Sequence, residues 1–337
     1  MKTIRLGKTD LYISRLGFGG IPIQKNDADA SLSLIRSLVE KGINYIDTAK
    51  AYTVSEELIG NAMEALGVRD RFVLATKSMA RDRAGMARDI ETSLAKLKTD
   101  RIELYQVHNP SMDQLATVCG EGGALEALLE AREAGKIGHI GITAHSLAVF
   151  EKALTLDWVE TIMFPYNIVE TQGEALIAQC QEKDIGFIAM KPLAGGAIED
   201  ATLAVRFICA NPAVNVVIPG MYCEQEVEQN VNAVNDESAL TASEMEKLAE
   251  IRKDLGTNFC RRCNYCAPCT AGISIPSVFL FGGYLERYGL ENWARERYAT
   301  LPVKAGACVD CGECESRCPY ELPIRDMLKK YADAFGE

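Results

Sequence analysis

Between residues 15 and 235 the sequence alternates short apolar runs with amphipathic stretches, and this alternation restricts the fold more than any other feature. The apolar runs lie at residues 15–19, 45–47, 72–76, 104–108, 139–143, 161–164, 186–190 and 214–218. Short, mainly apolar runs of this kind read as buried parallel strands. Helical periodicity fills the gaps at 28–40, 55–66, 87–97, 124–134, 173–182, 201–210 and 224–234. Strand–helix alternation repeated this often over about 220 residues points to a closed (β/α)8 TIM barrel. A doubly wound open sheet is the alternative with the same periodicity. Residues 4–6 and 11–14 flank Gly7-Lys8-Thr9-Asp10 and read as a β-hairpin that caps the bottom of the barrel. A last helix is expected at 241–255, with Thr241 or Ser243 as N-cap and Gly256 just past its end.

After Gly256 the composition changes sharply, so the barrel is expected to occupy residues 1–255 and a second domain 256–337. A chain of 337 residues suits one large domain and one small one. Hydrophobic residues at 48% and charged residues at 25% imply a packed core rather than disorder. The net charge of −11, without a long basic block, argues against nucleic acid as a partner. No apolar run reaches the roughly 18 residues of a membrane span. Met1-Lys2-Thr3-Ile4-Arg5 leads into mixed polar sequence, not the apolar core of a secretory signal. The expectation is a soluble cytoplasmic protein with no membrane partner.

Four polar residues fall where this fold puts chemistry. Asp47, Lys77 and His108 stand at the ends of the second, third and fourth strands, and Tyr52 lies in the loop after the second. Active sites of (β/α)8 barrels sit at the C-terminal ends of the strands. The set suits carbonyl reduction: hydride reaches the carbonyl carbon and the oxygen needs a proton. Tyrosine has an ordinary pKa of about 10, and a nearby ammonium lowers it by stabilising the phenolate. Asp47 would hold Lys77 charged, and His108 would position the carbonyl oxygen. Taken singly, each residue reads as readily as a salt-bridge or surface residue. The four together carry the catalytic reading.

Asp47-Thr48-Ala49-x-x-Tyr52, with Lys77 and His108 at the next two strand ends, resembles the catalytic tetrad of the aldo-keto reductase family. Satellite motifs follow in order: Gly17-Phe18-Gly19-Gly20, Gly141-Ile142-Thr143, Pro165-Tyr166-Asn167, Lys191-Pro192-Leu193-Ala194-Gly195-Gly196, Ile218-Pro219-Gly220 and Glu228-Gln229-Asn230. The resemblance covers roughly residues 1 to 250 and implies a small-molecule carbonyl substrate and a nicotinamide hydride donor, NADP or NAD. It places Gly19, Thr143, Asn167, Met190, Lys191, Pro192, Leu193, Gly220, Glu226 and Asn230 around that cofactor. The glycines read equally as turn residues.

Several cofactor positions depart from the family pattern. Thr143 and Ala144 stand where the family has serine and asparagine. Met163 replaces a glutamine and Met190 an aromatic residue. Gly220, Met221 and Glu226 occupy positions where the family grips a 2′-phosphate. A carboxylate suits a free 2′-hydroxyl and repels a phosphate, as in dinucleotide sites of another fold. NADH is therefore at least as well matched as NADPH, and weak or absent nicotinamide binding is a further alternative. His145, two residues past the fifth strand, reads as a substrate contact or as an exposed loop residue.

The chain has 12 cysteines, eight of them between residues 260 and 318. Disulfides do not explain them in a reducing compartment. Cys308-x2-Cys311-x2-Cys314-x3-Cys318-Pro319 matches the bacterial ferredoxin run, in which three cysteines wrap one cluster and the fourth ligates another. Cys260-x2-Cys263-x2-Cys266-x2-Cys269 is one residue shorter and is followed by Thr270, not proline. The ferredoxin crossover implies one 4Fe–4S cluster on Cys260, Cys263, Cys266 and Cys318, and another on Cys308, Cys311, Cys314 and Cys269. A single cluster and a zinc site are the alternatives. The stretch 275–298 between the runs reads helical, and its aromatic residues Phe279, Phe281, Tyr284, Tyr288 and Trp293 read as core, with an electron path as the alternative. Helix-linked runs resemble α-helical ferredoxin domains, and barrel and module together resemble the ferredoxin-domain branch of the aldo-keto reductases.

A hydride carries two electrons and a cubane passes one. Three readings follow. The barrel reduces a carbonyl with NAD(P)H while the clusters are structural or regulatory. Alternatively, the clusters relay electrons from a ferredoxin or flavoprotein to substrate. In the third reading, the chain is a non-enzymatic docking or redox-sensing protein.

Overall fold

The computed structural model describes residues 1–337 apart from 257 and 263. The chain forms two compact units. The first comprises Met1–Asn167, Thr171–Pro192 and Asp200–Leu240; the second comprises Ile168–Glu170, Leu193–Glu199 and Thr241–Glu337.

The first unit holds ten strands: β1 (Thr3–Arg5), β2 (Tyr12–Ser14), β3 (Phe18–Gly19), β4 (Tyr45–Asp47), β5 (Val73–Ser78), β6 (Ile102–His108), β7 (Ile137–Thr143), β8 (Thr161–Pro165), β9 (Gly186–Met190) and β10 (Val216–Ile218). β3 to β10 form one parallel sheet in sequential order. Its two edges meet: Gly17 N donates to Val217 O and Gly19 N to Pro219 O, both at 2.9 Å, and Leu16 and Gly19 bridge to Val217 and Gly220. The sheet is therefore a barrel, and the open-sheet alternative falls. At this seam a Cβ on Gly19 would stand 2.8 Å from Pro219 O, so a close backbone approach requires glycine there.

Strand parity divides the core. On β4 to β6, Ile46, Leu74, Tyr105 and Val107 point outward into the cluster shared with the surrounding helices. Tyr45, Ala75 and Leu104 point inward and pack with Met163, Ile188 and Val216. The hairpin β1–β2 contributes Leu6, Leu11 and Ile13 to this inner cluster. Asn44, just before β4, binds Ser14 N through its side chain at 2.6 Å. The hairpin thus closes the N-terminal end of the barrel, as expected.

The helices begin where capping residues stand. Asp27 caps Ala28–Glu40, Asp82 caps Arg83–Leu97 and Asp200 caps Ala201–Cys209 through side-chain bonds to backbone N–H groups. The Asp82 cap starts the third helix four residues earlier than periodicity placed it. Two short helices, Met112–Cys119 and Leu147–Ala153, escaped the periodic reading. The first is fixed by a Ser111–Gln114 capping box. The second has fewer than two full turns, too few to display a period.

The second unit is helical: Ala242–Gly256, Ile275–Glu286, Glu291–Ala299, Glu313–Ser316 and Ile324–Phe335. Thr241, not Ser243, caps the first, exchanging bonds with Glu244. The stretch 275–298 is two helices, interrupted near Gly289 with φ 61°. Ile273, Val278, Phe279, Tyr298, Leu322, Leu328 and Tyr331 form the core, with Cys266 and Cys314 among them. Tyr284 and Trp293 are buried and their rings pack at 4.5 Å, so these aromatics serve as packing residues. No helix among the described residues is long and apolar enough to cross a membrane.

Candidate active site and cysteine cavities

The parity that buries Tyr45, Ala75 and Leu104 inside the barrel also turns Asp47, Lys77, Gln106 and His108 inward, toward the C-terminal strand ends. Lys77 Nζ donates to Asp47 Oδ1 at 2.6 Å and to Thr48 O at 2.5 Å. Gln106 Nε2 donates to Asp47 Oδ2 at 3.2 Å. Lys77 Nζ also stands 4.9 Å from the centroid of the Tyr52 ring. Tyr52 and His108 meet edge to face, centroids 6.0 Å apart. The four sequence-predicted residues are thus gathered at one mouth.

Asp47 and Lys77 are 3% and 1% exposed, so water scarcely screens them. Burial pulls the Lys77 ammonium below the usual lysine range, and Asp47 opposes the shift. Burial likewise lifts the Asp47 carboxyl, against the attraction of Lys77 and the Gln106 amide. Sequence reasoning missed Gln106. The available signal was parity: it sits two residues before His108 on the same strand face. Arg81, another omission, donates to His108 O at 2.8 Å and to Asn109 O at 3.3 Å, pinning the loop after β6. Burial draws its guanidinium below the usual arginine range.

The residues expected around a nicotinamide are more dispersed. Thr143 ends β7, and its hydroxyl accepts Asn109 N–H at 2.9 Å. Asn167 is fully buried and its amide donates to Lys191 O at 2.9 Å. Met190 ends β9, and Lys191 follows in the left-handed region with φ 58°. Pro192 stays in the first unit, whereas Leu193 belongs to the second. Gly19 and Gly220 face each other across the barrel seam. Glu226 lies in the first turn of Glu224–Asn235, where its carboxylate accepts Tyr222 N–H at 2.8 Å. Burial lifts that carboxyl above its usual range, against the Tyr222 N–H and Lys25. Asn230, one turn on, donates to Glu226 O. His145 is half-buried, so the exposed-loop reading does not hold.

In the second unit the cysteines line two cavities. Cys260, Cys266 and Cys318 line one, with Ile275, Phe279 and Leu322 as apolar neighbours. Cys269, Cys308, Cys311 and Cys314 line the other. Cys263 lies outside the described residues. Among the described residues, no three potential ligands gather at a single-ion site. A cubane instead presents a separate iron to each of four thiolates, so a ring of cysteines around a cavity is the arrangement it needs. The Thr270 hydroxyl, 3.4 Å from Cys311 Sγ, holds that thiol below the usual range, while burial lifts Cys314.

Comparison with known proteins identifies both parts. The model of the aldo/keto reductase family matches residues 15–202, and that of a 4Fe–4S dicluster domain matches residues 259–323. Aldo-keto reductase YhdN of Bacillus subtilis is 34% identical over 191 residues, covering 52% of this chain and 56% of that protein. L-galactose dehydrogenase of Arabidopsis thaliana is 26% identical over 306 residues, covering 74% and 95%. The holo form of aldo-keto reductase AKR11C1 from Bacillus halodurans superposes with a TM-score of 0.66 at 26% identity, covering 74% of this chain and 96% of that one. The chain belongs to the aldo/keto reductase family and is an oxidoreductase of that type with an additional 4Fe–4S domain.

Proposed function

From that family membership, we propose that the barrel reduces the carbonyl of a small aldehyde or ketone to an alcohol, or runs the reverse. The observation that carries this reading is Lys77 Nζ, held by Asp47 on one side and 4.9 Å from the Tyr52 ring on the other. Tyr52 gives its hydroxyl proton to the carbonyl oxygen. The Lys77 ammonium stabilises the phenolate left behind, Asp47 and Thr48 O fix the ammonium, and His108 orients the carbonyl. A bound nicotinamide supplies the hydride. Gly19, Thr143, Asn167, Met190, Lys191, Pro192, Leu193, Gly220, Glu226 and Asn230 are its proposed surroundings. NADH fits them better than NADPH. Glu226 already takes backbone N–H at the start of its helix, where a phosphate would otherwise bind, and its charge opposes one.

The second domain, placed at 256–337, is proposed to hold two 4Fe–4S clusters, which exchange single electrons. Cys260, Cys263, Cys266 and Cys318 serve one; Cys308, Cys311, Cys314 and Cys269 serve the other. The two cysteine-lined cavities support this division. A cytoplasmic location suits thiols that must stay reduced. A second reading has a ferredoxin or flavoprotein donating electrons through the clusters to substrate. It is favoured by Thr143, whose hydroxyl is already engaged by Asn109, and by methionines at 163 and 190.

An anaerobic preparation distinguishes the two: iron and sulfide assay, then EPR with NADH, NADPH and dithionite added in turn. The first reading predicts NADH binding and carbonyl-dependent NADH oxidation without a cluster signal. Clusters that dithionite reduces and a carbonyl reoxidises, with no nicotinamide binding, would establish the second reading instead.

A further inference from the structure

Among the described residues, the buried Arg261 meets no acidic side chain. It is 7% exposed. Its guanidinium donates to three backbone carbonyls, Val169 at 3.3 Å, Gly256 at 2.8 Å and Phe259 at 3.1 Å. Its carbon lies 3.9 Å from the centroid of the Tyr320 ring. Among the described residues no carboxylate pairs with it. Burying a charge in this way is costly unless an opposite charge compensates it. Arg261 lines the same cavity as Cys260, Cys266 and Cys318, so the compensating charge has a place. Tyr320, whose ring lies against the guanidinium, follows Cys318 by two residues.

Its neighbour Arg262 is handled differently. The Arg262 side chain meets Glu170 at 2.7 Å, and Glu170 is fully buried. The Arg262 backbone, at φ 58°, turns its N–H to within 3.4 Å of Cys260 Sγ. One arginine is thus matched by a carboxylate and lends a backbone donor to a cysteine sulfur, while the other offers its charge to the cavity. Among the described residues the second cavity has no buried equivalent: Arg317 lines it and donates to the carbonyls of Glu313 and Pro268, but it is only half-buried. Arg325 also lines that cavity, but its side chain is 38% exposed and bound to Glu315 at 2.8 Å and Asp310 at 3.5 Å. Solvent and carboxylates screen its charge.

We propose that Arg261 is the built-in counter-charge of the cluster on Cys260, Cys266 and Cys318, and that it raises the reduction potential of this cluster selectively. The inference rests on the two-cluster reading above. One-electron reduction by a low-potential donor adds one negative charge and no proton, and makes or breaks no bond. That charge arrives in a low-dielectric site beside a guanidinium, which favours the reduced state. Net charge and hydrogen bonds to sulfur are recognised controls of cluster potential. Arg261 is a positioning residue here, since it acts on the cluster through its field and not by ligation.

The test is an EPR-monitored redox titration of the full chain, prepared anaerobically, with dithionite as reductant. In Arg261→Gln, one of two one-electron transitions moves to lower potential and the other stays. Arg261→Lys restores most of the shift, and Arg325→Gln leaves the Arg261-sensitive transition in place. Should Arg261→Gln lose iron, Tyr320→Leu keeps every cysteine and the arginine but removes the ring that orients it, and the same transition moves down. Wild-type potentials in whichever of these variants retains iron and sulfide would overturn the proposal. Absence of iron and sulfide from the wild-type chain would overturn the two-cluster reading itself.

Discussion

Lys77 Nζ stands 2.6 Å from Asp47 Oδ1, with both side chains sealed from water. Removing one partner leaves the other charge buried and uncompensated. Lys77→Met should therefore destabilise the barrel by about 3–5 kcal/mol, and pairing it with Asp47→Leu should recover part of that loss. Urea denaturation of the single and double variants checks both, and both should lack carbonyl reductase activity.

His139 lies at the other end of the barrel, Nδ1 2.7 Å from Glu160 and Nε2 2.6 Å from Asp10. Glu160 foremost, aided by Asp10, lifts the imidazolium above its ordinary range despite burial. A raised pKa contributes stability that is fully present below the unfolded value of about 6.5 and is lost as pH rises through the folded value. Compared with wild type, His139→Gln should be markedly less stable near about pH 6, and the deficit should shrink toward about pH 9. Denaturation curves across that window measure it, and a deficit that grows with pH would reverse the assignment.

The seam of the barrel depends on Gly19. A methyl group there meets Pro219 O at 2.8 Å and Ile218 O at 2.9 Å, both backbone atoms that cannot swing aside. Gly19→Ala should cost about 1–3 kcal/mol. A neutral substitution would mean that β3 and β10 are more loosely joined than their hydrogen bonds indicate.

Glu226 occupies the first turn of its helix and takes the Tyr222 N–H itself. Glu226→Ala frees that donor and removes a charge that opposes phosphate. The ratio of NADH to NADPH dissociation constants should then shift toward NADPH by about tenfold, roughly 1.4 kcal/mol. Fluorescence titration of each nucleotide provides the readout.

Much of this could be read from residue order alone, for identifiable reasons. Asp47, Lys77 and His108 close apolar runs, and a barrel brings strand ends together, so their convergence follows from topology. Gln106 lies inside such a run, where a polar residue draws no notice until parity is followed residue by residue. The cysteine runs are local and their spacing reports directly on cluster geometry. What periodicity does not carry is partnership between distant segments. Glu170 follows β8 in the chain yet pairs with Arg262 of the cysteine run, and Leu193 leaves the unit that retains Met190 to Pro192. Helices shorter than two turns, such as Leu147–Ala153, are equally silent.

The most direct test of the central claim is carbonyl-dependent NADH oxidation by the full chain and by Tyr52→Phe, compared at equal iron content across a panel of aldehydes and ketones. Wild type should turn over, and Tyr52→Phe should lose a factor of about 10²–10⁴ in kcat with NADH binding unchanged. Equal turnover by the two proteins would contradict a proton-donating role for Tyr52 and, with it, the proposed function of the barrel.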